Sequence, residues 1–334
     1  MADSKNLLDE LLGLGAGKDA KSLPKGQTVE QAAEAFVDSV ITDSARLLAA
    51  GDVKGAAKLE AEGSVVDVVA VVDRTGSMYP TIGQVEKTIN DFSGELWKPG
   101  ATTRFAILAL TDHYGQSSFR EPVLGVDIFP LNKDRAAVQQ YLAGIRPAPS
   151  NFDTVENYEC GWNEAAKLVS AAHVPEGKRR KVVAVTFMET AAHGQLADLK
   201  SRGVFTDVKD RYYADVFMGE DYGCPMNVNW RTSLAAFKAV SSLFYVVDCK
   251  GIQGNNPVFQ IAKKSCITPG SETERYVALG ELVEMIPPLI AGMIEQTRGP
   301  ASYATFVADL KTRDPAAAST VAGYLGAPKI TPKR

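Results

Sequence analysis

The run VVDVVAVVD at residues 65–73 constrains the fold of this chain more than any other segment. Its near-continuous β-branched residues are typical of a strand that is buried on both faces of a parallel sheet. A chain of 334 residues is long enough to bury a large core around such a strand. We therefore expect one main α/β domain with additions at both ends.

Three further apolar runs predict strands that alternate with helices. The predicted strands are RFAILALTD (104–112), KVVAVTFME (181–189) and SLFYVVDC (242–249). Helical patterns lie between them, in GQVEKTINDFSGELW, DRAAVQQYLAGI, CGWNEAAKLVSAA and TSLAAFKAVS. This alternation predicts a doubly wound, mostly parallel sheet flanked by helices, an architecture in which ligands bind beyond the carboxyl ends of the strands.

The two ends of the chain differ from the central region in composition and in the pattern of apolar residues. Residues 1–62 are rich in Ala, Leu, Lys and Glu, with apolar positions at helical spacing, and predict a helical N-terminal extension. The main domain is expected over 63–297. Residues 298–334 predict one helix, ASYATFVADLKTR, followed by a flexible tail or a small docking segment.

Composition gives little indication of a specialised environment. The formal net charge of −4 offers no general reason to expect nucleic acid or an acidic membrane surface as a partner. The N-terminus lacks the pattern of a signal peptide, and no apolar run approaches the roughly 20 residues that span a bilayer. We expect a cytoplasmic protein.

The four cysteines are widely separated in the sequence and form no CxxC pair, so their spacing predicts neither a zinc site nor a disulfide framework. They are Cys160, Cys224, Cys249 and Cys266. Of the three histidines, we expect His193 to be structural and His173 to lie in a surface turn. A histidine-based metal site is not expected.

Oxygen-bearing side chains follow three of the predicted strands. The first strand ends in Asp73-Arg-Thr75-Gly-Ser77, the second in Thr111-Asp112-His113, and the third in Glu189-Thr190; a further loop, SNFDTVENYE, contributes Asp153 and Thr154. Mg²⁺ takes about six oxygen ligands and is typically held by a few carboxylates and hydroxyls with waters retained. The convergence of these loops predicts a site for one divalent cation at this edge of the sheet.

These motifs resemble those of a von Willebrand factor A-type domain. That family has a metal-ion-dependent adhesion site with an Asp-x-Ser-x-Ser motif, which here reads Asp73-Arg-Thr75-Gly-Ser77. The resemblance covers residues 64 to 297. It is closest to the intracellular branch that includes the von Willebrand α-kinases, although their kinase domain is not seen here. Four motifs of that branch, DSTGSM, RDH, D-x-PE and TDAPPHG, have counterparts in this chain. The counterparts are, in the same order, DRTGSM, LTDHYG, FDTVENYECGWNEAAK and METAAHG.

The resemblance implies a role for each candidate ligand. Thr75 and Ser77 would coordinate the ion directly, Asp73 and Glu189 would lie in its inner or water-bridged shell, and Thr154 or Asp153 would complete the set. Glu189 is longer than the family's usual Asp by one methylene. The ion would be Mg²⁺, with Mn²⁺ or Ca²⁺ as alternatives, and its open position would accept an Asp or Glu of a protein partner.

Asp112 and His113 could form an outer shell to this ion or a pair that faces the partner. The alternative for Asp112 is a hydrogen-bonding role that orders the loop. Residues 205–230 form an insertion after the third strand end, and it contains Tyr212, Tyr213, Phe217 and Tyr222. This insertion is either a packed loop or the determinant of partner specificity.

The resemblance favours a non-enzymatic adaptor or scaffold, because intracellular relatives often serve ATPase or assembly machinery. Two other functions stay open. A self-assembling component would place an acidic side chain of one copy in the cation site of the next. A metal-dependent phosphohydrolase of the haloacid dehalogenase kind would need a second carboxylate where Thr75 stands, so proton transfer to the leaving group would have no carrier.

Overall fold

A computed structural model describes eleven stretches of the chain. They are residues 41–74, 78–97, 102–111, 113, 124–146, 155–174, 178–219, 221, 223–249, 256–280 and 283–327. Within these stretches no helix combines the length and the apolar character needed to cross a membrane.

Six strands form one mostly parallel sheet. In chain order they are β1 (Ser64–Asp73), β2 (Thr102–Leu110), β3 (Val126–Asn132), β4 (Arg179–Met188), β5 (Leu243–Cys249) and β6 (Glu274–Gly280). Their order in the sheet is β3-β2-β1-β4-β5-β6. Only the pairing of β2 with β3 is antiparallel among the strand pairs of the described residues. The predicted fold class is confirmed.

Strand β1 is central to this sheet, as its β-branched run predicts. All ten of its residues are buried, and it pairs in parallel with β2 on one side and β4 on the other. Chain connections run outward from β1 in one direction through β2 and β3, and in the other through β4, β5 and β6. The order therefore reverses between β1 and β4, which is where an open α/β sheet leaves a crevice for ligands.

Helices cover both faces of the sheet. They are α1 (Val53–Glu62), α2 (Tyr79–Asp91), α3 (Ser93–Leu96), α4 (Arg135–Gly144), α5 (Tyr158–Ala171), α6 (Gln195–Ser201), α7 (Val208–Gly219), α8 (Trp230–Ala239), α9 (Pro257–Ser265), α10 (Ile286–Arg298), α11 (Pro300–Arg313) and α12 (Pro315–Leu325). Residues 41–49 are also helical. Several helices begin at a side chain that accepts a hydrogen bond from the first turn, as Asp134 and Asn229 do.

Side chains of β1 alternate between two apolar layers. Val68 and Val72 belong to a core that includes residues of α2, α10, α11 and α12. Val69 and Val71 belong to a second core, formed with α5 and α8. Because successive strand residues point to opposite faces, one uninterrupted apolar run can serve both layers.

Directly after α11, the C-terminal region differs from a flexible tail. Residues 315–325 form helix α12, which packs against the main core through Ala317, Ala318, Val321 and Leu325. Asp314 starts this helix by accepting a hydrogen bond from the backbone N–H of Ala317. Of the two alternatives for this region, residues 315–325 agree with a docked segment rather than a flexible tail, because the small residues of α12 pack closely against the core. Residues 328–334 lie outside the described residues.

Candidate functional site

Two of the predicted ligands lie at neighbouring strand ends. Asp73 is the last residue of β1, and Glu189 directly follows β4. Val72 pairs with Phe187 in register, so both residues lie at the same edge of the sheet, where the strand order reverses. The side chains of both residues are buried, at 0% and 4% exposure.

The other five predicted ligands, Thr75, Ser77, Asp112, Asp153 and Thr154, lie outside the described residues. Their roles as cation ligands stay predictions. Residues next to them are described, and these fix where the loops begin and end.

The segment after Thr154 joins the ends of β2 and β4. The backbone N–H of Glu156 donates to the carbonyl of Ala191, at 2.9 Å. The Asn157 side-chain amide donates to the carbonyls of Thr111, at 3.2 Å, and Leu124, at 2.6 Å. Three chain segments that are distant in sequence are thus tied together at the carboxyl edge of the sheet.

Carboxylates gather around the buried phenol of Tyr158 at this edge. The Tyr158 oxygen accepts a hydrogen bond from the backbone N–H of Glu189, at 3.1 Å. Burial raises the pKa of Tyr158 well above its ordinary value, and the negative charges of Asp73, Glu156 and Glu189 raise that pKa further. A region with this concentration of negative charge favours a cation.

A second group of metal-ligating side chains lies at the same edge. His113 follows β2, Glu159 and Cys160 lie in the first turn of α5, and Cys224 lies between α7 and α8. Their ligand atoms all fall within 4.8 Å of one another. His113, Glu159 and Cys160 are fully buried, and Cys224 is partly buried.

Individual distances in this group are short. The Nε2 atom of His113 lies 3.2 Å from Oε1 of Glu159 and 3.7 Å from Sγ of Cys160. The Sγ atoms of Cys160 and Cys224 are 3.6 Å apart, and neither cysteine is in a disulfide. A fifth residue, His193, adds its Nδ1 atom at 3.0 Å from the same Glu159 oxygen.

Backbone hydrogen bonds hold the group in place. The carboxylate of Asp221 accepts from the N–H of Gly194, at 2.7 Å, and from the N–H of Gly223, at 2.8 Å. It thereby fastens the segment before Cys224 to the turn after His193. The backbone N–H of Asn227 donates to the Cys224 carbonyl at 3.0 Å and closes a tight turn.

Charge within the group is unevenly distributed. Burial opposes ionisation of Glu159, but the charge of His193 and hydrogen bonds from His113 and His193 outweigh it and lower the pKa of Glu159 to about 2. A hydrogen bond from the Cys160 thiol lowers the pKa of Cys224, and a hydrogen bond with His113 acts in the same direction. Burial and the negative charge of Glu159 raise the pKa of Cys224, but the two hydrogen bonds outweigh them.

Sequence spacing did not predict this group, in which a histidine, a glutamate and two cysteines lie close enough together to hold a metal ion. The tertiary fold brings the four residues together from distant positions in the chain, since Cys224 is 64 positions from Cys160. A signal was nevertheless present: His113 and His193 both follow predicted strand ends at one edge of the sheet. His113 is fully buried, so it does not face a partner from the surface.

The 205–230 insertion is largely helical. In α7, Ala214 and Phe217 are buried in a small core shared with α6 and α9. On the other side of α7, Val208, Tyr212 and Val216 are exposed, with Tyr212 at 64%. Tyr222 lies outside the described residues. The role of this insertion in partner specificity stays a prediction.

No protein-family model and no curated protein matches the chain. Among solved structures, proximal thread matrix protein 1 from the mussel byssus is similar at a TM-score of 0.42 and 11% identity, over 69% of this chain and 48% of that chain. The pilus adhesin SpaC from Lactobacillus rhamnosus GG is similar at a TM-score of 0.46 and 12% identity, over 70% and 31%. This chain thus spans less than half the length of either structure. At these values neither adds to the fold assignment, which rests on the sheet topology.

Proposed function

We propose that this chain is a von Willebrand factor A-type adaptor or scaffold protein of the cytoplasm, which holds one Mg²⁺ ion and uses it to bind an acidic residue of a protein partner. The observation that carries the proposal is the position of Asp73 and Glu189. They end adjacent parallel strands at the point where the strand order reverses.

The electrostatics of this edge support a cation site. Burial is the main cause of the raised pKa of Tyr158, and the negative charges of Asp73, Glu156 and Glu189 raise it further. Buried carboxylates are stable as anions only when they are paired, hydrogen-bonded or bound to a metal. A hard cation with oxygen ligands would satisfy several of them at once.

Partner binding follows from the coordination chemistry. Mg²⁺ seldom has all six positions filled by one protein and keeps several waters. A carboxylate from a partner can replace one of those waters and gain a strong ionic contact in a sheltered position. The two hydroxyl residues of the DRTGS motif, Thr75 and Ser77, fit this scheme because neutral ligands leave the ion with positive charge for the partner.

Calorimetry with Mg²⁺ and Mn²⁺ tests the cation site. The wild-type chain should bind one ion saturably, and Asp73→Ala should lose that binding. Asp134→Asn is the matched control, because it removes the same charge from an exposed position where Asn still caps α4. Absence of saturable binding in the wild-type chain, or equal binding in Asp73→Ala, would contradict the proposal.

Once ion binding is established, sedimentation and partner capture distinguish binding of a partner protein from self-assembly. An adaptor should capture its acidic partner with Mg²⁺ present and release it when Asp73 is replaced by Ala. Particle mass should stay that of a single chain in both states. A mass that increases with Mg²⁺ and falls in Asp73→Ala would instead identify self-assembly through the same site.

A further inference from the structure

The geometry points to a zinc site, separate from the proposed Mg²⁺ site, with Cys160, Cys224, His113 and Glu159 as its four ligands. The ligand atoms would be two Sγ atoms, Nε2 of the histidine and Oε1 of the glutamate. Its role would be structural: the ion would fasten the insertion that carries Cys224 to the carboxyl edge of the sheet.

Three of the six distances between the ligand atoms match tetrahedral coordination, and all six lie within 4.8 Å. With Zn–S near 2.3 Å and Zn–N and Zn–O near 2.0–2.1 Å, tetrahedral geometry requires separations of about 3.8 Å between two sulfurs, about 3.6 Å between sulfur and nitrogen, and about 3.3 Å between nitrogen and oxygen. The corresponding distances here are 3.6 Å for Cys160 to Cys224, 3.7 Å for Cys160 to His113, and 3.2 Å for His113 to Glu159.

The ligand types select the ion. Thiolate and imidazole are soft or borderline ligands that favour Zn²⁺ over Mg²⁺ or Ca²⁺. The two thiols bind as thiolates and release two protons, so their charges offset the charge of the ion. Four protein ligands leave no open coordination position, which is the pattern of structural zinc sites rather than catalytic ones.

Residues around the four ligands already form a supporting layer. His193 contacts the Glu159 oxygen through Nδ1, and its backbone N–H lies 3.2 Å from the other oxygen, Oε2. Metal-bound carboxylates are usually oriented by such hydrogen bonds. Asp221 secures the backbone beside Cys224 through its bonds to Gly194 and Gly223.

The site would join segments that are distant in the chain. His113 is 47 residues before Cys160, and Cys160 is 64 residues before Cys224. Closing loops of this length with an ion removes conformational freedom from the unfolded chain and stabilises the folded one. Oxidation to a disulfide is the alternative use of these thiols and would shorten their 3.6 Å separation to about 2.05 Å, so the zinc test is made with reductant present.

Metal content of the full chain tests this inference. Chain purified with reductant and dialysed with ZnCl₂ should retain one zinc per chain by mass spectrometry. Cys160→Ser and Cys224→Ser should lose stoichiometric zinc, whereas Cys266→Ser, which replaces another buried free cysteine, should keep it. His193→Gln should weaken zinc affinity by about 10–100-fold without changing the stoichiometry.

Cobalt replacement gives a spectroscopic test of the coordination geometry. Co²⁺ should produce a thiolate-to-cobalt charge-transfer band and the intense visible bands of a tetrahedral ion, and Zn²⁺ should abolish both. Asp73→Ala should keep this spectrum. The result for the zinc inference is therefore independent of the result for the proposed Mg²⁺ site. Substoichiometric zinc in the reduced wild-type chain, absence of the cobalt bands, or zinc retained in both serine variants would overturn the inference.

Discussion

Gly161 in α5 lies directly against Leu110 at the end of β2. A Cβ atom built on Gly161 would lie 2.8 Å from Cδ2 of Leu110 and 2.9 Å from Cγ1 of Val71 in β1. Separations below 3.0 Å are too short for real carbon contacts, so the helix can approach the sheet this closely only without a side chain at this position. The same helix begins with Tyr158, Glu159 and Cys160, so its approach positions both candidate sites.

We expect Gly161→Ala to destabilise the fold by about 1–3 kcal/mol, because a core without space must shift to accept the methyl group. The matched control is Gly83→Ala in α2, where the new Cβ would have nothing within 4 Å. Ala is favoured over Gly within a helix, so the control should be stabilised by about 0.5–1 kcal/mol. Urea unfolding of both variants measures the difference. If both variants were more stable than the wild-type chain, the side chains around Gly161 would move aside at little cost in free energy.

The buried carboxylate of Asp67 in β1 joins two arginines at the opposite edge of the sheet. Arg104 donates to both carboxylate oxygens, at 2.6 and 2.7 Å, and Nε of Arg180 donates at 2.6 Å. Asp67 is completely buried. Removing one member of a buried charged group leaves the other charges without compensation, so we expect Asp67→Asn to cost about 3–5 kcal/mol.

The control for this prediction is Asp43→Asn. Asp43 forms an exposed ion pair with Arg46, at 3.1 Å, and exposed pairs contribute about 0–1 kcal/mol. Chemical unfolding at neutral pH measures both variants. If the two substitutions lowered the free energy of unfolding by similar amounts, the buried ion pairs of Asp67 would contribute no more than an exposed pair.

Ionisation of Glu274 should make the stability of the fold depend on pH. Partial burial raises its pKa, but hydrogen bonds from Lys238 and the Thr268 backbone N–H, with the charge of Lys238, outweigh burial and lower it. The two bonds are 2.7 and 2.6 Å long. The pKa of Glu274 is therefore lower in the folded chain than in the unfolded chain. Its carboxylate stabilises the fold fully at pH values above the unfolded-state pKa. This contribution is lost as the pH falls through the folded-state pKa.

We therefore expect Glu274→Gln to lower the free energy of unfolding at pH 7 by about 1.5–3 kcal/mol, the range for hydrogen bonds to charged groups. The difference from wild type should shrink as pH falls below the unfolded value of 4.5. Urea titrations from pH 7 down to the acid limit of folding measure it. A difference that is constant over this range would rule out ionisation as its source.

The sheet was predictable from the sequence where its strands are buried on both faces. The runs that begin near Val65, Arg104, Lys181 and Ser242 correspond to β1, β2, β4 and β5 within about two residues. Strand β3 was not predicted, because it is an antiparallel edge strand with polar residues and with Pro130, which is tolerated at a sheet edge. Strand β6, the other edge, pairs in parallel with β5 and was missed because its sequence, ERYVALG, mixes polar and apolar residues.

The candidate sites differ in how far the sequence could predict them. Asp73 and Glu189 were found because each follows an obvious strand, and parallel strand ends meet at one edge. The group around Glu159 could not be found by spacing, because its partner Cys224 comes from an insertion whose path depends on tertiary packing. That path is set by contacts such as Asp221 with Gly194, which no local pattern encodes.

The last prediction concerns Glu60 in α1, which joins the N-terminal extension to helix α11. Its carboxylate accepts hydrogen bonds from the backbone N–H groups of Ser302, at 2.8 Å, and Ala301, at 3.3 Å. It thereby caps a helix whose own N-cap residue, Gly299, has no side chain to do so. A negative charge at a helix N-terminus is also stabilised by the helix dipole.

We expect Glu60→Ala to lower the free energy of unfolding by about 1–2 kcal/mol, the usual cost of removing an N-cap acceptor. Glu62→Ala is the control, since Glu62 lies in the same helix and forms an exposed ion pair with Lys58, at 3.9 Å. Hydrogen exchange should show faster exchange at Ala301 and Ser302 in the Glu60 variant and unchanged exchange in α5. Equal effects of the two substitutions would mean that the extension and α11 are held together by apolar packing alone, and that the carboxylate contributes nothing to their association.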